Sequence, residues 1–127
     1  MGQQQLLLIV VGVIVVGIAI IVGVNIFETS AQISNREGIF SDLHTIGNFA
    51  IEYYHKRPMM GGGSLNFTGW TIPATHDTTI NGTFTATVSA LNVTLVGTGT
   101  EIGNDGSAKV KATATITPTG ITITVNN

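Results

Sequence analysis

No cysteine occurs among the 127 residues, which excludes disulfides, thiolate zinc sites and a cysteine nucleophile together. It does not fix the compartment, because an exported protein can do without bridges. Charge is almost as scarce: five Lys or Arg against seven Asp or Glu leave charged residues at 9% and a formal net charge of −2. Such a chain has no electrostatic footprint for nucleic acid or an anionic surface, so no nucleic-acid partner is expected. The first five residues, Met1, Gly2, Gln3, Gln4 and Gln5, contain no Lys or Arg, so the basic n-region of a secretory signal is missing. Gly61, Gly62 and Gly63 lack the Lys and Ser/Thr of a phosphate-binding loop and read as a linker.

What the chain does have is a run of nineteen residues, Leu6 to Val24, without a charge or a side-chain amide. Its large side chains are Leu6, Leu7, Leu8, Ile9, Val10, Val11, Val13, Ile14, Val15, Val16, Ile18, Ile20, Ile21, Val22 and Val24. As a helix rising about 1.5 Å per residue it spans roughly 28 Å, near the thickness of a bilayer's hydrocarbon core. Four readings compete: a cleaved signal, a permanent anchor, a buried core helix, and the packing helix of a filament. The run exceeds the apolar stretch of about 7 to 15 residues in a signal peptide. It also exceeds the usual strand of about 3 to 10 residues, despite its Val and Ile content. In lipid or a dry protein core a helix satisfies its own backbone hydrogen bonds, and one that is apolar on all sides must be buried all round. Gly12, Gly17 and Gly23 stand five and six apart, which does not make a small-xxx-small pairing face. Arg36 lies beyond the C-terminal end, so the positive-inside count gives little guide to orientation.

Composition then changes. Seventeen of the nineteen threonines fall in the last sixty residues, which separates a mixed amphipathic stretch, 28–57, from a Thr-rich remainder. In the first stretch Ile39, Leu43, Ile46, Ala50 and Tyr53 recur at helical spacing, with Asp42, Asn48, Glu52 and Lys56 off the stripe. The predicted helix therefore continues to about residue 58, weakened at Asn35, Gly38 and Gly47 with a bend expected near Gly38, and stopped by Pro58. At about 80 Å for an unbroken helix, its first half is expected to protrude beyond what the remaining hundred residues can cover. Residues 59–64 read as a flexible Gly-rich linker.

Residues 65–127 read as an antiparallel β head. Phe84, Ala86, Val88 and Ala90 alternate with hydroxyl residues; Leu91, Val93 and Leu95 continue in the opposite phase, which predicts a bulge or strand break between Ala90 and Leu91. Ala108 to Ile116 alternate after the Asn104-Asp105-Gly106 turn signal, and Ile121, Ile123 and Val125 after Pro118-Thr119-Gly120. A weaker strand is expected from Leu65 to Ile72. The fold class expected is α+β: a long N-terminal helix followed by a small antiparallel sheet with one buried face.

A glycine just before an N-terminal apolar helix, an amphipathic continuation and a β head resemble the type IV pilin superfamily, including archaeal pilins and archaellins. The likeness covers the whole chain in architecture but only Gly2 to Phe27 in sequence style. It implies cleavage by a dedicated peptidase between Gly2 and Gln3, membrane storage before assembly, an assembly machinery as partner, and an apolar half-helix packed in the filament core. The basic leader usual before that glycine is missing, which leaves the fate of Met1 and Gly2 open. The glutamate common in bacterial members falls on Leu7, so no buried charge pairs with a neighbour's terminal amine; Gln3, Gln4 and Gln5 can hydrogen-bond there instead.

Three N-x-S/T sequons, at Asn66, Asn81 and Asn92, sit in the expected head as possible N-glycan acceptors. The threonines can also be read as O-glycan acceptors, or more plainly as strand formers on a solvent face. His44 and His55 stand eleven apart, about 16 Å along a helix, too far to share one metal ion. His76-Asp77 beside threonine is a cheap coincidence in so Thr-rich a chain, and the aromatics Phe27, Phe40, Phe49, Tyr53 and Tyr54 read as packing residues. No enzyme, cofactor or metal site is expected. The expected function is a structural subunit that polymerises with itself into a cell-surface filament for adhesion, motility or surface contact. The alternative is a single-pass anchored protein whose exported β domain binds or senses.

Overall fold

Helix α1 runs Gly2–His55, and five strands follow: β1 Thr78–Thr79, β2 Gly82–Val88, β3 Val93–Ile102, β4 Lys109–Thr117 and β5 Gly120–Val125. The structure, a computed structural model, describes residues 2–127. The strands form one antiparallel meander in the order β1-β2-β3-β4-β5. This is the α+β class expected from the sequence, in the element order that the pilin resemblance implies. The chain divides into two units, one ending at Ala31 and one running Gln32–Asn127.

Within the second unit the helix stripe meets the sheet. Ile39, Leu43, Ile46 and Ala50 are fully buried with Phe67, Val93, Leu95, Ala112, Ala114 and Ile116. β4 shows strict alternation, with Val110, Ala112, Ala114 and Ile116 inward and Lys109, Lys111 and Thr115 outward. On β3 the inward row is Val93, Leu95, Gly97 and Gly99. The two glycines allow the helix to approach: a Cβ on Gly97 would stand 2.9 Å from Ile39 Cγ2 and 2.9 Å from Phe84 Cε1, and one on Gly99 would collide with Asn35 Oδ1. Gly47 plays the matching part from the helix side, with Ile121 Cδ1 2.7 Å from where its Cβ would be. Glycines that weaken α1 by propensity thus serve as its contact points, and α1 runs unbroken through Gly38 and Gly47.

This packing gives a direct test. Gly97→Val places branched carbons where Ile39 and Phe84 already are, and overpacking of this kind costs about 1–3 kcal/mol. The single tryptophan, Trp70, is 6% exposed and reports on the same core. Its fluorescence is expected to show a lowered denaturation midpoint in the variant.

The strand break expected at the Ala90–Leu91 phase flip is the β2–β3 hairpin turn, closed by Ser89 N donating to Asn92 O at 2.9 Å. Other local expectations are corrected. Residues 65–72 form no strand: Phe67 N donates to Ala90 O at 3.0 Å and Trp70 N to Phe67 O at 3.0 Å, so the segment is a loop inserting two aromatics into the core. The Gly-rich stretch is hydrogen-bonded back onto the end of α1 rather than loose. A 3₁₀ turn occupies Pro58–Met60, and Gly63 N, Ser64 N and Leu65 N donate to Tyr53 O, Lys56 O and Tyr54 O. The helix carbonyls left open at its C-terminus are satisfied by the glycine-rich chain that follows. Gly61, at φ +83°, supplies the left-handed cap that this reversal needs.

Candidate assembly surface

From Leu6 to Phe27 the N-terminal unit is apolar but for Asn25, without a polar stripe. Ile9 is 64% exposed, Val15 59%, Ile21 64% and Phe27 80%, and these positions lie on every side of the helix at 100° per residue. This helix is long and apolar enough to cross a membrane. Fifteen large aliphatic side chains at about 1.5–3 kcal/mol each set the stake at tens of kcal/mol per chain when the segment leaves water. The apolar character ends at Asn25, Glu28, Thr29 and Ser30, where Thr29 Oγ1 bonds back to Asn25 O at 2.9 Å. All of the aliphatic residues anticipated as filament-core positions belong to this one surface, and Gly2 and Gln3 form the first described residues of α1.

The head is held to its own part of α1 by polar contacts of Asn35, a residue expected to weaken the helix, and of Asp42, which lies off the apolar stripe. Asn35 is 8% exposed and lies one helical step before Ile39 on the buried stripe. Its Nδ2 donates to Asn81 O at 2.7 Å and Thr100 Oγ1 at 3.3 Å, while its Oδ1 accepts from Thr100 N at 3.1 Å and Glu101 N at 3.3 Å. Those two amides lie where the β3–β4 register shifts between Thr98 and Ile102. The helix residue therefore pairs backbone groups that the irregular ladder leaves over. Two turns of residues further on, Asp42 Oδ2 accepts from Thr79 Oγ1 at 2.8 Å and Asn81 Nδ2 at 2.9 Å. A signal for Asn35 exists in the sequence, since it precedes Ile39 by four and continues the stripe; Asp42 carries none.

The three sequons have different surroundings. Asn66 is exposed and its Oδ1 accepts from Thr68 N at 2.7 Å. Asn92 is exposed at the hairpin turn, with Oδ1 accepting from Ser89 Oγ at 2.6 Å. Asn81 is half-buried in the helix–sheet junction just described.

Other candidates do not converge. No group of three His, Asp or Glu residues placed to hold a metal occurs among the described residues. His76 packs edge-on against Phe49 at a centroid distance of 5.0 Å, with Nδ1 2.8 Å from Thr75 Oγ1. The Lys56–Glu52 ion pair, at 3.1 Å, is an exposed i,i+4 contact and adds little.

Asp105, in the β3–β4 loop, has its carboxyl held below the ordinary range. Hydrogen bonds from Ser107 N and Ala108 N, each 2.9 Å, stabilise the carboxylate, and Asn127 adds to them. A depressed folded-state pKa contributes loop stability that is present above the ordinary carboxylate pKa and is lost as pH falls through the folded value. The Asp105 carboxyl ¹³C shift is expected to titrate below that of a free aspartate, and the Ser107 and Ala108 amide shifts should move with the same midpoint.

No protein-family model matches this chain, and comparisons with curated proteins and with solved structures return no match.

Proposed function

We propose that this chain is a structural subunit that polymerises through Leu6–Val24 into a cell-surface filament, serving adhesion, motility or surface contact. One observation carries the reading: a single helix, Gly2–His55, holds a charge-free segment apolar on every side and then a stripe that completes the core of a β head. A binding module on an anchor does not need its membrane segment and its core helix to be one element. A filament subunit does, because force applied to the bundled segment must reach the head. Many copies bury the segment against one another, and a heterologous contact that fails to close into a ring grows as an open helical polymer. Residence in the membrane before assembly keeps the same surface from aggregating.

A second reading rests on the same length and hydropathy. A segment able to cross a bilayer also suits a single-pass anchor carrying an exported β domain. Cryo-electron microscopy of detergent-free material sheared from the producing cells separates the two. Regular filaments with helices bundled at the axis are expected; protein recovered only in detergent as a monomer would overturn the filament reading in favour of the anchor.

A further inference from the structure

We propose that Asn66 and Asn92, and not Asn81, accept N-linked glycans. The assignment rests on the export of the head that the filament reading requires, and on how the fold treats three sequons of the same sequence type.

The reaction needs the carboxamide nitrogen. Nδ2 forms a bond to the anomeric carbon of an activated glycosyl phosphate donor, the carbon–oxygen bond to phosphate breaks, the phosphate leaves with the electron pair, and Nδ2 gives up one proton to the transferase. An acceptor must therefore offer Nδ2 outward, with the hydroxyl residue two positions on within reach.

Asn66 meets these needs. Its Oδ1 takes the Thr68 amide at 2.7 Å, an Asx turn that closes the sequon on itself. With the oxygen used inward, Nδ2 is left pointing away from that turn, on an exposed residue next to an exposed Thr68. The middle residue, Phe67, is fully buried and anchors the turn to the core. At Asn92 the Oδ1 is likewise engaged, by Ser89 Oγ at 2.6 Å. The residue is exposed at the tip of the β2–β3 hairpin. Phe67 N bonds Ala90 O at 3.0 Å, so the two acceptors belong to adjoining segments of the head.

Asn81 fails on the same criteria. Its Nδ2 donates to Asp42 Oδ2 at 2.9 Å, and its backbone oxygen is taken by Asn35. The carboxamide lies against the helix backbone at Gly38, so closely that a Cβ there would collide with it: Cγ would be 2.5 Å and Nδ2 2.8 Å away. A sugar on this nitrogen would have to occupy space held by α1. Asn81 is a structural residue whose sequon is incidental.

The consequence is chemical as well as topological. The outward rows of the sheet pair Thr87 with Thr94 and Thr94 with Thr115, and the segment after Asn66 has only five charged side chains. Two glycans would hydrate a head that has little charge to keep it apart from its neighbours.

The test is site-resolved glycopeptide mass spectrometry on protein from its own producing cells, alongside electron microscopy of the same preparation. Sugar mass on Asn66 and Asn92 with Asn81 bare is the expected pattern. Asn66→Gln and Asn92→Gln should each remove one glycan from the intact mass, while Asn81→Gln leaves the intact mass without a glycan loss. Sugar on Asn81, or a bare Asn66 or Asn92, overturns the assignment. Filaments built of bare subunits would overturn it while leaving the filament reading intact. Glycosylated monomers found only in membranes would uphold it and overturn the filament.

Discussion

Val15→Asp is expected to abolish filaments while leaving the head folded. Val15 sits near the middle of the charge-free run and is 59% exposed on the isolated chain, so in the proposed assembly it is buried only by other copies. Every subunit would then bring one carboxylate into a dry helical core without a partner. The effective cost of such an ion is several kcal/mol, and at about 1.4 kcal/mol per factor of ten, the concentration needed for assembly rises by roughly 10²- to 10⁴-fold. Protonation of the carboxyl trades that charge for an unpaired polar group, which still costs about 1–3 kcal/mol. The measurement is filament yield in sheared fractions, with Trp70 fluorescence as the control for the head. Val15→Ile should assemble normally, since it keeps the apolar surface and adds one methylene. Normal filaments from Val15→Asp would count heavily against the helix as the assembly surface.

The N-terminal half of α1 was readable because nothing but a helix accommodates nineteen apolar residues outside a sheet, and the stripe Ile39, Leu43, Ile46 and Ala50 because its period is that of a buried helix face. The strands of β4 and β5 followed from alternation and turn residues. What escaped is where small or polar residues do the packing. Gly97 and Gly99 continue the buried row of β3, but hydrophobicity patterns do not register a residue whose contribution is the absence of a side chain. Gly38 and Gly47 read as weak points of the helix, with a bend near Gly38, because propensity is local, whereas their role lies in contacts with Asn81 and Ile121 distant in sequence. The 65–72 segment looked extended because Phe67, Trp70 and Ile72 resemble strand formers; its backbone bonds are local and to Ala90, which spacing alone does not reveal. Sequons share one sequence pattern, so only the fold separates Asn81, which is bound to Asp42, from Asn66 and Asn92.

The largest expected loss of head stability follows Asn35→Leu, a change that keeps the number and branching of side-chain heavy atoms and that most hydrophobic scales score as favourable in a buried stripe. Asn35 is the only polar residue among the buried ones of the described residues, and it serves both sides of the junction. Leu would leave Thr100 N, Glu101 N and Asn81 O without their present partner. An unsatisfied buried backbone group costs about 1–3 kcal/mol; with part of this recovered by water at the partly exposed end, a net loss of about 3 kcal/mol is expected. For a head of this size that corresponds to a fall in Tm on the order of 15 °C. The methyls of Leu, each larger than the carboxamide atom it replaces, also crowd Gly99, whose missing Cβ leaves room for the Asn35 carboxamide. Asn35→Asp distinguishes the two halves of the interaction: it keeps an acceptor for the Thr100 and Glu101 amides but loses the donor to Asn81 O, and should fall between wild type and Leu. Thermal unfolding followed by Trp70 fluorescence ranks the three. If Asn35→Leu matched or exceeded wild type, the junction would be held by apolar contact alone and the bulged amides of β3 would be finding water. At temperatures where the head of Asn35→Leu remains folded, its filaments should still form, because the apolar surface from Leu6 to Val24 is untouched. Assembly and head stability are thus expected to separate along one helix, with Val15→Asp removing the first and Asn35→Leu weakening the second.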